Sequence, residues 1–273
     1  MNRRSFLKRT AFGGAGLLLG RGYSSNLKTR HLILVVNGSG ARKKEYYEDS
    51  SISPNIGRLA KEGFVFEEDH CDTAASHRTC YEELIQRFPD YVRQAYSDEA
   101  AKYWYIKDGS LTPRIMKEFR PRVLIFHETR HDAGHGGGGY PRAKTGYEEY
   151  LNIVKETDEN VGRIADWVRS DPYFSKNTSI VIRPEFGRDD EVNVYGELHH
   201  SHGYYYTHRV ASIYWGPDFN NGVDRKTVVN RRDMAPTLSR LFNVDLPYSR
   251  GAIVPGLFKP ETGILSVYKE NAG

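Results

Sequence analysis

The sequence is poor in cysteine and in long apolar runs, and each shortage excludes a class of protein. Two cysteines in 273 residues are too few for a disulfide-rich scaffold. The longest apolar stretch, about a dozen residues near the N-terminus, is too short and too rich in glycine to cross a bilayer comfortably. A composition of 38% hydrophobic and 12% aromatic residues is normal for a folded globular protein.

Outside its first 22 residues the chain also lacks an excess of positive charge. The formal charge is +4, yet those residues contain five bases and no acid. Without them, 34 bases face 35 acids, a net charge of −1. No basic surface is therefore expected over the rest of the chain, and no nucleic acid partner is implied.

Residues 1–22 have the pattern of a twin-arginine export signal. NRRSFLK is followed by the short apolar stretch TAFGGAGLLLG. We expect export to the periplasm or the extracellular space, with the leader either cut near Tyr23 or kept as an anchor, and no membrane span beyond it. Twin-arginine export carries folded proteins, often with a cofactor already inserted, and this favours a bound metal. In an oxidising compartment Cys71 and Cys80 could pair, and the sequence leaves pairing and two free thiols equally open.

Residues 23–273 alternate between strand and helix patterns. This alternation predicts one α/β domain with a mostly parallel central sheet. The predicted helices are 53–63, 73–88 and 145–170. Within the last of these, Asp158 lies in the apolar stripe, where we expect a buried acid bonded to polar neighbours rather than a metal ligand. The predicted strands are 31–40, 64–71, 102–106, 122–128, 179–185 and 210–216.

Polar clusters follow three of these strands. In HCDTAASHRTC, Thr73 lies at a strand-to-helix turn, where a hydroxyl activated by a base or a metal could attack an electrophile. The alternative is that Thr73 only caps the helix.

The other two clusters are rich in histidine. In HETRHDAGHGGGGY, Asp132 and His135 have the types and spacing that suit a divalent transition metal, although a solvated polar loop is the alternative. ELHHSHGYYYTHR contains His199, His200, His202 and His208. If the two loops converge, their side chains together could complete the coordination shell of one ion.

Four segments, in this order, resemble the alkaline phosphatase superfamily, in particular its sulfatase-like and phosphodiesterase/nucleotide-pyrophosphatase branches. They are LILVVNGSG, SPNIGRLAKEGFVF, NTSIVIRPEFG and RRDMAPTLSRLFNVDLP, and the resemblance spans residues 31–247. It implies a three-layer α/β/α sandwich with metal sites at the carboxyl edge of the sheet. It also implies a metal-dependent hydrolase of small anionic phosphate or sulfate esters. Zinc is the favoured ion, with manganese, iron and calcium left open.

The resemblance also assigns roles to the first polar cluster. TAASH is similar to the TxxNH of the phosphodiesterases, which implies Thr73 as the nucleophile and Ser76 and His77 as substrate-binding residues.

In the histidine-rich clusters the resemblance implies metal ligands. DAGH resembles a pair of ligands and points to Asp132 and His135. SHGY resembles an HGY segment that supplies a further histidine, which points to His202 with His200 as the rival.

Three positions depart from the family pattern. Asn37 stands where an Asp is usual, and Glu185 and Phe186 stand where an Asp-His pair is usual. Glu185 and Asn37 could still hold a weaker second ion, so one or two ions are expected. Arg188, in EFGR, could face an anionic substrate, with a surface salt bridge as its alternative.

These departures leave a second function open. The chain could be a catalytically degenerate relative that binds an anion, a glycan or a protein at the same edge. The resemblance leads us to expect a nearly bare sandwich, without the inserts of many longer relatives, and a site that is open or lined by the contacts of a homo-oligomer.

Overall fold

The computed structural model describes residues 26–74, 76–98, 102–136 and 145–264. The leader predicted at 1–22 lies outside these ranges. Within them, every helix is too short or too polar to span a membrane.

The structure is built on one eight-stranded mixed sheet. The strand order is β3-β4-β1-β5-β6-β2-β7, and β8 also pairs with β2. β6 runs antiparallel to β5 and β2, whereas the other pairings are parallel. The strands are β1 (His31–Asn37), β2 (Phe64–His70), β3 (Trp104–Ile106), β4 (Val123–Glu128), β5 (Thr178–Pro184), β6 (Arg209–Trp215), β7 (Gly222–Asp224) and β8 (Val229–Asn230).

All six predicted strands form, and each boundary lies within three residues of the expected one. β1, β4 and β5 are buried along their whole length. Continuous apolar runs are typical of parallel strands covered on both faces.

Helices cover both faces of the sheet, so the fold is the expected three-layer sandwich. One core includes Leu59 of α1 and Ile164 of α5, and the other includes Leu84 of α2 and Leu238 of α7. The helices are α1 (Pro54–Glu62), α2 (His77–Ile85), α3 (Phe88–Ala95), α4 (Thr112–Phe119), α5 (Gly146–Ser170), α6 (Tyr205–His208) and α7 (Met234–Ser239).

The single helix predicted over 73–88 is wrong. α2 begins only at His77 and ends at Ile85, and α3 starts at Phe88. Gln86 and Arg87 separate the two helices because both have left-handed backbone conformations, with φ of 42° and 58°. Such residues end an α-helix.

Asp158 of α5 is the buried, bonded acid that the sequence predicts. Its carboxylate accepts hydrogen bonds from the backbone N–H of Ile56 at 2.7 Å and from Nδ2 of Asn55 at 2.8 Å. It thereby caps the N-terminus of α1 from another helix. Ser53 is the N-cap residue of α1, but its hydroxyl donates to the carbonyl oxygen of Glu45 instead.

Replacing Asp158 by asparagine is expected to lower the free energy of unfolding by about 1–2 kcal/mol, because the cap loses its charge and its best acceptor. Urea denaturation measures this. Asp166→Asn is the matched control on the same helix, because the Asp166 side chain is 60% exposed, and its change should stay within about 0.5 kcal/mol. Equal losses in the two variants would contradict the capping role.

Candidate active site

The predicted clusters meet at one edge of the sheet. β1, β2, β4 and β5 end there, since these strands run in the same direction. β6 runs the opposite way and begins there, so the segment before it, residues 199–208, which includes α6, returns to the same edge. Side chains from four loops are thus brought together.

Asp132 lies at the centre of a group of imidazoles. Its Oδ1 is 3.6 Å from Nε2 of His77, 3.9 Å from Nε2 of His200 and 3.9 Å from Nδ1 of His135. The ligand atoms of His77, Asp132 and His200 all lie within 4.8 Å of one another. We call these three residues the metal cluster.

The polar atoms of this group fit a cation. Both ring nitrogens of His200 and Nε2 of His135 are buried without a hydrogen-bond partner among the described residues. Burial, together with the positive charge of Arg188, lowers the pKa of His200 to about 4 and also lowers the pKa of His135. The neutral imidazoles of His135 and His200, together with the Asp132 carboxylate, suit zinc and other first-row transition metals, whereas calcium prefers an all-oxygen shell.

The structure brings some of the predicted residues into the metal cluster and leaves others outside it. Asp132 lies in it and His135 lies beside it. The histidine from the later loop is His200, the rival, and not His202. His77, expected to bind substrate, is the third member.

Thr73 follows β2, and its Oγ1 lies 3.3 Å from Nε2 of His202. Thr73 does not cap α2, because the N-cap is Ser76, whose Oγ accepts from the backbone N–H of Thr79 at 3.3 Å. The Thr73 hydroxyl therefore faces an imidazole nitrogen that accepts its proton when the other ring nitrogen, Nδ1, carries the imidazole hydrogen.

Backbone contacts fix this pair from both sides. His208 reaches the carbonyl oxygen of Cys71 with Nδ1 at 2.7 Å and that of His202 with Nε2 at 2.9 Å. Arg231 is fully buried, and its Nη1 donates to the carbonyl oxygens of Thr73 and Glu185, each at 2.9 Å. In the sequence, nothing distinguishes Arg231 from Arg232 beside it.

Arg188 does not occupy the position expected of a substrate-binding residue. It is fully buried and donates to four backbone carbonyl oxygens, those of Gly40, Leu198, Ser39 and His131, at 2.5–3.0 Å. Such bonding favours a structural role, because four of its five N–H groups are used.

Glu185 and Asn37, predicted as a second metal pair, lie at the ends of adjacent strands and outside the metal cluster. Asn37 is buried, and its Oδ1 has no hydrogen-bond partner among the described residues. Glu185 is fully buried, and it accepts from Nε2 of His127 at 3.0 Å and from the backbone N–H of Ser39 at 2.9 Å. Burial alone would raise the pKa of Glu185, but the hydrogen bonds from His127 and Ser39 and the ion-pair contact with His77 outweigh it and lower the pKa to about 2.

This lowered pKa predicts acid sensitivity of the metal-free protein. A carboxylate whose pKa falls from 4.5 to about 2 on folding stabilises the fold above pH 4.5, and the stabilisation is lost as the pH falls towards 2. The shift corresponds to about 3 kcal/mol at pH 7, of which about half is lost by pH 3. Urea denaturation between pH 7 and pH 3 should show a free energy of unfolding that falls less with pH for Glu185→Gln than for the wild type. An equal fall in the two proteins would exclude a contribution of Glu185 to acid sensitivity.

Phe186, at the position of the usual family histidine, is fully buried in a small cluster with Cys71, Ala74 and Cys80. Its ring stacks on His77 with centroids 5.5 Å apart. It therefore supports a member of the metal cluster instead of coordinating an ion. Both cysteines are free in this structure, so the disulfide that the sequence left open is not formed.

The fold is an alkaline-phosphatase-like α/β fold, similar to those of several solved structures. The chain is similar to a protein solved in complex with its substrate D-glucosamine-2-N,6-O-disulfate, at 12% identity and a TM-score of 0.61 over 83% of this chain and 79% of that one. It is similar to a 2-O GAG sulfatase, at 10% identity and a TM-score of 0.61 over 81% and 72%. It is also similar to an alkaline phosphatase superfamily protein from Vibrio parahaemolyticus, at 15% identity and a TM-score of 0.54 over 80% and 67%. No family model and no curated protein sequence matches the chain.

Proposed function

We propose that this protein is a metal-dependent hydrolase of sulfate or phosphate esters with Thr73 as its nucleophile. The observation that carries the proposal is the contact between Oγ1 of Thr73 and Nε2 of His202, on the sheet edge that also holds the metal cluster. A nucleophile beside a base, at a sheet edge that also carries a candidate cation site, supports ester hydrolysis through a covalent intermediate.

In this mechanism Oγ1 of Thr73 attacks the sulfur or phosphorus atom and passes its proton to Nε2 of His202. The bond to the alcohol oxygen breaks, the protonated His202 returns the proton to that oxygen, and the alcohol leaves. Water then hydrolyses the threonine ester and restores the hydroxyl. A divalent ion held by His77, Asp132 and His200 would supply positive charge for the nonbridging oxygens of the ester.

Exposed tyrosines close to His202 in sequence favour a sugar ester as substrate. Tyr204, Tyr205 and Tyr206 follow His202 closely and are 58%, 55% and 47% exposed. Aromatic rings offer apolar faces beside a polar hydroxyl, which suits a sugar ring. One similar structure holds a disulfated glucosamine, and a sulfated sugar is therefore the first substrate to test.

Chelation followed by metal return tests the proposal. The wild-type protein is assayed with 4-nitrophenyl sulfate, 4-nitrophenyl phosphate, bis(4-nitrophenyl) phosphate and glucosamine 6-sulfate. We expect turnover of at least one ester, lost on chelation and restored by zinc or manganese. Absence of turnover with bound metal would contradict the proposal.

A binding protein without catalysis is the second candidate, favoured by Asn37 and Phe186, which replace metal-binding side chains of the family pattern. It predicts saturable binding of sulfated or phosphorylated ligands with no product formed. Calorimetric titration beside the turnover assay separates the two functions.

We propose that residues 1–22 direct the protein through the twin-arginine pathway. Export of a fusion to a reporter that is active only after translocation should depend on Arg3 and Arg4. A fusion with both arginines replaced by lysine is the control, and equal export of the two fusions would contradict the proposal.

A further inference from the structure

His127 occupies the space on one side of the Glu185 carboxylate. Its Nε2 bonds to Oε1 of Glu185 at 3.0 Å, and its Nδ1 lies 2.8 Å from the hydroxyl of Tyr105. Tyr81 stacks on the ring with centroids 4.7 Å apart. The ring also covers Gly38, because a Cβ at that position would lie 2.2 Å from Nε2. A buried imidazole, bonded on both nitrogens, thus lies beside Glu185 at the end of β1.

The other oxygen of Glu185 is also engaged. Oε2 accepts from the backbone N–H of Ser39 at 2.9 Å and lies 3.4 Å from Nδ1 of His77, an ion-pair contact rather than a well-formed hydrogen bond. Each oxygen of Glu185 therefore already faces at least one donor, and an ion at this carboxylate would lie against the imidazoles of His127 and His77. Asn37 adds only a neutral oxygen nearby, and this pair is therefore a poor second cation site.

The contact with Glu185 instead determines how His77 is presented. Nδ1 of His77 faces Glu185, and Nε2 on the opposite side of the ring faces Oδ1 of Asp132 at 3.6 Å. A carboxylate at Nδ1 favours the tautomer that leaves a lone pair on Nε2. Metal-binding histidines usually have such a carboxylate, or a carbonyl, on the nitrogen away from the ion.

We infer that Glu185 orients His77 without coordinating the metal, and that the chain binds one divalent transition-metal ion, at His77, Asp132 and His200, rather than two. The inference rests on the metal cluster of the proposed function. Continuous contacts run from Tyr105 through His127 and Glu185 to Nδ1 of His77, and they hold the His77 ring on the side away from Asp132.

Metal titration of the full-length protein, after removal of bound ions by chelation, tests this inference. Calorimetry with Zn²⁺ should give one equivalent for the wild type. Glu185→Gln should raise the Zn²⁺ dissociation constant by about 10–100-fold, the effect typical of an outer-shell partner, and should keep a stoichiometry of one. Glu159→Gln is the control, because the Glu159 side chain is 64% exposed, and it should leave the dissociation constant unchanged.

Co²⁺ absorption distinguishes an orienting residue from a ligand. The visible spectrum of saturated Glu185→Gln should keep the wild-type band positions and intensities, since the ligand set is unchanged. A wild type that binds two equivalents, a variant that loses one equivalent, or an unchanged dissociation constant would overturn the inference. If Glu185→Gln does not fold, the wild-type stoichiometry and Glu185→Asp decide, because the shorter carboxylate should weaken binding in the same way.

The two proposals fail differently. One bound ion without ester turnover would contradict the proposed function and leave this inference standing. Two bound ions together with ester turnover would contradict this inference and leave the proposed function standing.

Discussion

Replacing Thr73 by alanine is expected to lower kcat by at least about 10³-fold, because the nucleophilic oxygen is removed and catalysis falls to what binding and charge stabilisation supply. Metal content should stay at the wild-type level, since the hydroxyl lies against His202 and outside the metal cluster. Steady-state kinetics on the best ester of the panel, with metal analysis of the same sample, measures both quantities.

Thr73→Ser is the matched control, because it keeps a hydroxyl at the same position and should retain part of the activity. A Thr73→Ala variant that turns over as fast as Thr73→Ser would exclude Thr73 as the nucleophile. Trapping of a phosphorylated or sulfated protein after acid quench, lost in Thr73→Ala, would locate the covalent bond directly.

Replacing Asp132 by alanine is expected to abolish both metal binding and turnover. Asp132 is the carboxylate that three imidazoles surround. Without it the ion keeps only neutral ligands, and its affinity should fall by well over the ~100-fold upper value for an outer-shell partner. Zn²⁺ calorimetry and ester turnover measure the effect.

Asp132→Asn provides a graded comparison, because it keeps one oxygen donor and removes the charge. Its affinity should lie between those of the wild type and Asp132→Ala. An alanine variant that binds Zn²⁺ as tightly as the wild type would show that the ion lies elsewhere. The backbone should be undisturbed in both variants, because the Asp132 side chain is 52% exposed.

Much of the sandwich could be predicted from the sequence, because fully buried parallel strands are continuous apolar runs. The long helix α5 also has the expected bounds, with Thr145 as its N-cap. The break between α2 and α3 is marked in the sequence only by Pro89, in the first turn of α3, since neither Gln86 nor Arg87 is a residue that favours a left-handed conformation. Local patterns predict elements better than their ends.

The candidate site was less accessible to sequence reasoning. Asp132 and His135 are marked by their spacing, but the choice between His200 and His202 depends on how their loop turns back to the sheet. Arg188 stands in a polar segment and suggests exposure. Its carbonyl partners come from distant loops, so its burial could be learned only from the folded chain.

The metal cluster draws His77, Asp132 and His200 from three loops that are far apart in sequence. An unfolded chain would have to close two long loops to bring them together, and it is therefore a poor chelator. Ion binding and folding are then thermodynamically linked: each tenfold excess of free ion over its dissociation constant adds about 1.4 kcal/mol to the stability of the native state. The ion that serves the ester chemistry would also link distant segments of the chain. Chelation would therefore lower the stability of the native state as well as stop the reaction.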